Sequence, residues 1–307
     1  MATGTHEYND DERNASIQIN VNGELFPRNE AKVSVFDSGF VLGDGVWEGL
    51  RLHEGKLVFL EQHLDRLWEG AKALDFEPGI SQKELTQRLN DTLAANNMHS
   101  DVHIRLMVSR GIKATPYQDP RVTISAPTIV IIAEYKSPKP STLSKGVELF
   151  TVHVRRGGPD IQDPQINSHS KLNCIIACIQ ATKAGADEAL MLDTQGFVAT
   201  CNSTHFFIIK NGEVWTSSGN YCLHGITRGN VIDLCKSNGI TVHEKTFSLT
   251  ETYSAEEAFV TGTFAGIAPV TQIDGRKIGT GKRGTQTKKL QDLYLQLLDT
   301  EAGITRV

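Results

Sequence analysis

The sequence has no apolar run approaching the length of a membrane span, so a helical anchor in a bilayer is not expected. It has no internal repeat and no low-complexity stretch, which sets aside repeat arrays and compositionally biased tracts. Its five cysteines are an odd number without disulfide-like spacing, and the segment Met1 to Ala15 is polar and acidic rather than signal-like, so a cytoplasmic setting is expected. Neither sign of charge is in large excess. The 31 basic and 36 acidic side chains leave a net charge of −5, which indicates neither a nucleic-acid footprint nor a membrane-binding patch. No metal centre is expected: Cys174 and Cys178 stand one helical turn apart, but isoleucines surround them and no histidine pair joins them, so they read as core. What the chain does have is length, and 307 residues suffice for two domains with cores of their own.

Periodicity divides the chain. A polar segment, 1–15, reads as a disordered tail. Strands are predicted at Ser16 to Asn22 and Ala31 to Val35, followed by a glycine-rich turn into a strand at Gly45 to Leu52. Leu60, Leu64, Leu67, Ala71 and Leu74 share one helical face, and a second helix is predicted from Gln82 to Asn96. Strands at Val102 to Ser109 and Ile129 to Tyr135 complete a small α/β domain, 16–135. Prolines and polar residues interrupt both periodicities at 136–145, which reads as a linker. The remainder, 146–307, reads as a larger domain. It has strands at Val147 to Val154, Glu188 to Leu192, His205 to Lys210, Glu213 to Thr216 and Ala258 to Thr261, and a last helix near Thr285 to Leu298.

Two helix starts in the larger part carry chemistry. Lys171 opens a helix whose Leu172, Ile175, Ile176 and Ile179 recur on one face, a face expected to be buried. An amine at the edge of a core and at the positive end of a helix has its charged form disfavoured, as an amine that must attack an aldehyde requires. A solvated lysine at a helix start is the alternative. Thr227 in Gly225-Ile226-Thr227-Arg228 falls at or next to the start of a helix through Val231, Leu234 and Cys235, where free N–H groups and a hydroxyl converge on one point. That arrangement suits a phosphate, although capping alone also explains Thr227.

Six segments in order extend this. They are Phe36 to Arg51, His63-Leu-Asp-Arg66-Leu67, His103 to Gly111, Asp187 to Asp193, Gly225 to Arg228, and Thr261 to Val270. Together, from about Ile17 to Leu298, they resemble the class IV, fold-type IV pyridoxal-phosphate aminotransferases, which include branched-chain, D-amino acid and R-selective amine transaminases and aminodeoxychorismate lyases. The resemblance implies a two-domain α/β (α+β) fold of the D-amino acid aminotransferase type. It implies pyridoxal 5'-phosphate (PLP, alternating with its amine form PMP) as cofactor, an amino donor and a 2-oxo acid as substrates, and a homodimer or higher homo-oligomer. Carried over residue by residue, Lys171 would tether the cofactor and move the substrate proton. Arg66, Ile226, Thr227 and Thr263 would hold the phosphate. Trp47, Phe264 and Ala265 would line the substrate site, with Arg105 near the substrate carboxylate.

The chain departs from the family pattern in places. The residue that usually pairs with the pyridine nitrogen is a glutamate, and here it is Thr200, whose hydroxyl can donate to a neutral nitrogen but cannot hold a proton there. Counting back from Glu188-Ala189 puts the usual lysine near Asn167, one turn before Lys171, so a relative that only binds the cofactor stays open beside the lysine assignment. The tyrosine of the family's Tyr-Ile-Arg is His103. An aminotransferase with branched-chain-like substrates is the expected activity. A D-amino acid or R-amine transaminase and a lyase on the same scaffold are the alternatives. The D-amino acid version is weakened because Gly111 to Asp119 lacks the arginine and histidine such enzymes use.

Overall fold

Strict alternation in the first half produces strands that bury one face. A computed structural model describes residues 4–304. The expected tail at 1–3 and the last residues of the expected C-terminal domain, 305–307, lie outside the described residues. The chain divides into two compact units, one built mainly from Asp10–Ser137 with Ile166–Lys171, the other from Pro138–Gln165 and Leu172–Thr300 together with the residues up to Asn9.

In chain order the first unit contains β1 (Gln18–Val21), β2 (Glu24–Pro27), α1 (Ser38–Leu42), β3 (Gly45–His53), β4 (Lys56–Val58), α2 (Leu60–Ala73), α3 (Gln82–Ala95), β5 (Val102–Ser109) and β6 (Thr128–Tyr135). Its six strands form an antiparallel sheet in the order β2-β1-β6-β5-β3-β4. Val102, Ile104, Leu106 and Val108 of β5 point to one face and meet Leu64, Leu67 and Ala71 of α2 and Leu85, Leu89 and Leu93 of α3. Ser81 caps α3 by accepting from the Glu84 N–H at 3.1 Å. Ala31 to Val35, predicted as a strand, has no regular structure, and the strand of this region is β2.

The second unit contains α4 (Pro140–Lys145), β7 (Val147–Thr151), α5 (Leu172–Lys183), β8 (Glu188–Leu192), β9 (Val198–Cys201), β10 (His205–Lys210), β11 (Glu213–Thr216), α6 (Ile226–Ser237), β12 (Val242–Glu244), α7 (Leu249–Tyr253), β13 (Glu257–Gly262), β14 (Gly266–Ile273), β15 (Arg276–Lys277) and α8 (Thr285–Glu301). These strands form a mixed sheet, β12-β11-β10-β13-β14-β7-β8-β9, with β15 paired to β14. Both faces are covered at β8 and β9, every residue of which is buried, so their sequences do not alternate, and the polar Glu188 and Thr200 among them are buried too.

Three further expectations change. The predicted linker contains α4, started by Pro140. Residues 4–15, expected in the tail, form two 3-10 turns, and Thr5 is buried with its hydroxyl donating to the Glu188 carboxylate. The apolar face of α5 is not buried: Leu172, Ile175, Ile176 and Ile179 are 65, 52, 38 and 48% exposed, and Cys174 and Cys178 are only partly covered. The helix instead packs through Ala177 and Ala181 against Val152, Ala189 and Met191, because small side chains let it lie close to the sheet. Periodicity identified the stripe correctly but could not say what would cover it.

Candidate active site

In the first unit, alternation along β3 sends Glu48 and Trp47 to opposite faces. Glu48 lies on the core side and is fully buried. A buried carboxylate needs partners, and α2 supplies two from positions three apart, which share a helix face. His63 Nδ1 lies 2.7 Å from Glu48 Oε2, while Arg66 donates from Nε to Oε1 at 2.8 Å and from an Nη to Oε2 at 2.7 Å. Burial by itself would raise the Glu48 carboxyl, but Arg66 beside it and the bonds from His63 and Arg66 hold it below the ordinary carboxylate value. Burial pushes His63 down against the opposing pull of Glu48, so the imidazole is neutral and Nδ1 carries the donated proton. Arg66 is thus clamped along one edge of its guanidinium. No role was assigned to Glu48 or His63 from sequence, yet the signal was there: a glutamate inside an apolar strand, and a histidine three residues before an arginine on one helix.

On the other face of β3, Arg105 sits diagonally across the Gly49–Arg105 pair from Trp47. Its guanidinium carbon stacks 3.7 Å from the Trp47 ring centroid, and among the described residues no protein group accepts a hydrogen bond from it. Burial draws Arg105 below its usual value against the attraction of Glu48 and Glu134. It remains a cation at any working pH. Lys171 Nζ lies 5.2 Å from the same ring and 3.0 Å from Asn167 Oδ1. The Trp47 indole N–H donates to the Ser168 carbonyl at 3.1 Å, and His169 Nε2 lies 2.9 Å from the Val46 carbonyl. The unit therefore brings Trp47, Arg105 and Lys171 together, with Asn167 beside them. Lys171 itself precedes α5 by one residue.

In the second unit, α6 starts after Gly225, which has no side chain to cap it, so the first-turn N–H groups of Ile226, Thr227 and Arg228 lack intrahelical acceptors. Thr227 is buried in that turn. A Cβ on Gly225 would fall 2.3 Å from the His205 ring, so only glycine lets the backbone approach there. His205 is held by the Leu223 carbonyl at 2.7 Å. Beside it in register, Thr261 buries a hydroxyl for which no protein partner exists among the described residues. Open N–H donors on a helix dipole, with a buried hydroxyl in the first turn, fit a phosphate. Thr263, Phe264 and Ala265 form the turn between β13 and β14, with Phe264 stacked on His6 at 5.8 Å.

Thr200 is buried in β9, and its hydroxyl donates to the Thr204 carbonyl at 2.8 Å. The Thr204 hydroxyl in turn donates to Glu188, which also takes the Ser203 hydroxyl at 2.6 Å.

The titrations have a measurable consequence. The folded-state value of His63 lies below its ordinary 6.5, so as pH falls through about 6.5 the unfolded chain binds a proton that the folded chain refuses, and stability is lost. His169, lowered chiefly by burial, acts in the same direction. Glu48, held below its ordinary 4.5, contributes stability that is lost only at lower pH. Thermal midpoints are expected to fall between about pH 7 and 5, and His63→Gln, which keeps a donor but does not titrate, should flatten that slope. An unchanged slope in this variant would remove His63 from the account.

Comparison with known proteins agrees with the geometry. The pattern of the family described as amino-transferase class IV matches residues 45–273. Branched-chain-amino-acid aminotransferase-like protein 2 of Arabidopsis thaliana is 41% identical over 93% of this chain, and the chain spans 51% of that relative's length. The branched-chain-amino-acid aminotransferase of Pseudomonas aeruginosa is 34% identical, with 91% of this chain and 93% of the relative covered. The crystal structure of the branched-chain amino acid aminotransferase from Thermobaculum terrenum in its PLP-form superposes with a TM-score of 0.83 at 26% identity, covering 94% of this chain and 95% of that one. The chain belongs to the class IV aminotransferases.

Proposed function

We propose that this protein is a pyridoxal-phosphate-dependent aminotransferase that exchanges an amino group between a branched-chain-like amino acid or amine donor and a 2-oxo acid in two successive half-reactions. The observation that carries this reading is a lysine amine and a hydrogen-bond-free arginine on the same indole, Lys171 and Arg105 on Trp47, in a chain of this family. When bound, the cofactor supplies an aldehyde for the amino group and a ring that spreads the charge left by proton removal. Lys171 supplies the tethering amine and then accepts and returns the substrate proton. Arg105 presents a planar fork of unengaged donors, which suits a carboxylate. Ile226, Thr227, Thr263 and Arg66 are the residues assigned to the phosphate. Thr200 contributes an uncharged hydroxyl on the pyridine side. Trp47, Phe264 and Ala265 bound the substrate side chain.

A homodimer or higher homo-oligomer is part of this proposal, supported by the uncovered apolar face of α5. Sedimentation equilibrium tests it, and a monomer at assay concentration refutes it. Among the described residues no helix is long and apolar enough to cross a membrane.

The activity test is a panel of amino donors with 2-oxoglutarate or pyruvate as acceptor, read by the visible absorbance of the bound cofactor and by product. Bleaching by L-branched-chain donors, reversed by a 2-oxo acid, is expected. Preference for D-donors or for amines, release of pyruvate without an acceptor, or no response to any donor would each replace this reading with a different one.

A further inference from the structure

We infer that His6 is a positioning residue for the Thr263-Phe264-Ala265 turn, an inference that rests on the proposal that Phe264 and Ala265 bound the substrate side chain. Gly262 and Gly266 face each other as the last pair of the β13–β14 ladder, which fixes the ends of the turn but not its tip. Gly266 has φ +68°, and a Cβ there would fall 3.1 Å from the Tyr294 ring, so the backbone runs close over α8 at that end. Phe264 carries the one large side chain of the turn and is 5% exposed. Its ring centroid lies 5.8 Å from that of His6 with the two planes 5° apart, an offset stack of the favoured kind. The tip of the turn is thereby tied to a segment far away in sequence.

Anchors on both sides deliver His6 to that ring. Before it, Thr5 is 1% exposed and its hydroxyl donates to the Glu188 carboxylate, which also accepts from Ser203 at 2.6 Å and from Thr204 at 2.5 Å. Gly4 has φ +66°, a Cβ on it would fall 2.7 Å from the Asp187 side chain, and its carbonyl accepts from the Thr142 hydroxyl of α4 at 3.4 Å. After it, the Glu7 carboxylate pairs with Lys139 Nζ at 2.8 Å, the Glu7 carbonyl accepts from the Lys139 N–H at 3.3 Å, and Tyr8 bridges to Pro138. A stack between two mobile groups is offset by the entropy of ordering both. Here the other bonds already order the segment, so the stack acts on the turn. His6 lies outside residues 45–273, the part of the chain matched by the family pattern.

Amide hydrogen exchange reads the turn without any ligand. In His6→Ala, exchange in a peptide covering Thr263 to Gly266 is expected to quicken by about three-fold or more, the size of one aromatic pair, while peptides of β10 keep their protection and report an intact fold. His6→Phe keeps a stacking ring without an imidazole and should restore the unmodified rate. His6→Leu, which fills the space without a ring, stands in if His6→Ala does not fold. The second arm uses the loaded enzyme. In His6→Ala the KM for leucine should rise by about three-fold or more with kcat nearly unchanged, and the KM for alanine, whose side chain is a single methyl, should hardly move. His6→Phe should again restore the leucine value. Unchanged exchange in His6→Ala, or failure of His6→Phe to restore it, overturns the inference, since the stack would not be what holds the turn. Faster exchange with equal effects on leucine and alanine overturns it through the assignment of Phe264 and Ala265 to the substrate side chain. An unmodified protein that turns over no amino donor removes that assignment and the inference with it, while the exchange arm still reports whether the stack holds the turn.

Discussion

Lys171→Ala is expected to eliminate covalent capture of the cofactor and to lower turnover by roughly three orders of magnitude or more, a base contributing roughly 10²–10⁴-fold and the lost tether adding to it. The fold should survive. Lys171 is only partly buried, its amine contacts Asn167 and the face of Trp47, and it is not a member of the apolar cluster of its unit. Such a substitution costs about 1 kcal/mol or less. Noncovalent retention through the α6 terminus should persist, so the variant would still bind pyridoxamine phosphate. Borohydride mapping of the unmodified protein decides the assignment. Lys113 is the informative competitor: it is 1% exposed, but its Nζ donates to the Asp119 carbonyl at 3.1 Å within its own loop, so it is committed elsewhere. Cofactor on Lys113, or residual turnover in Lys171→Ala close to the unmodified rate, would refute the assignment.

The second large effect is at Arg66, and the structure gives it two components. Arg66→Ala should weaken cofactor retention by an order of magnitude or more, as expected for a charge-assisted phosphate contact of about 1.5–3 kcal/mol. It should also destabilise its unit by about 3–5 kcal/mol, because it strips the main counter-charge from the fully buried Glu48. Thr227→Ala, which removes a hydroxyl in the first turn of α6, should show the retention effect without the stability effect. A Glu48→Gln change made on top of Arg66→Ala should recover part of the lost stability, since no buried charge is then left unpaired, but none of the retention. Urea denaturation and equilibrium dialysis measure the two separately. Retention unchanged in both Arg66→Ala and Thr227→Ala would move the phosphate site elsewhere; stability unchanged in Arg66→Ala would show that Glu48 is satisfied without it.

Much of the fold was legible because its rules are local. The period of 3.6 in Leu60 to Leu74 and Gln82 to Asn96, and of two in Val102 to Ser109, depends only on neighbouring residues, and α2, α3 and β5 follow it. The helix starts at Leu172 and Ile226 were equally local, which is why Lys171 and Thr227 stood out before any tertiary contact was known. Ala31 to Val35 failed by the same logic: an apolar alternation without a neighbouring strand to pair with has nowhere to place its backbone hydrogen bonds.

By itself, then, the sequence determined most of the element types and the family through ordered motifs, and it singled out Lys171 and Thr227 as candidates. Tertiary structure alone decided which groups those residues answer to. Glu48 meets Arg66 across 18 residues, Asn167 meets Trp47 across 120, and Thr5 meets Glu188 across 183. It also decided that the isoleucine face of α5 stays uncovered and that the Thr200 hydroxyl donates a hydrogen bond to the Thr204 carbonyl. The physical reason is the same in each case. A dihedral preference or a hydrophobic period is set within a few residues, whereas the partner of a buried carboxylate, amide or hydroxyl is whichever group the chain reversal delivers to within hydrogen-bond distance.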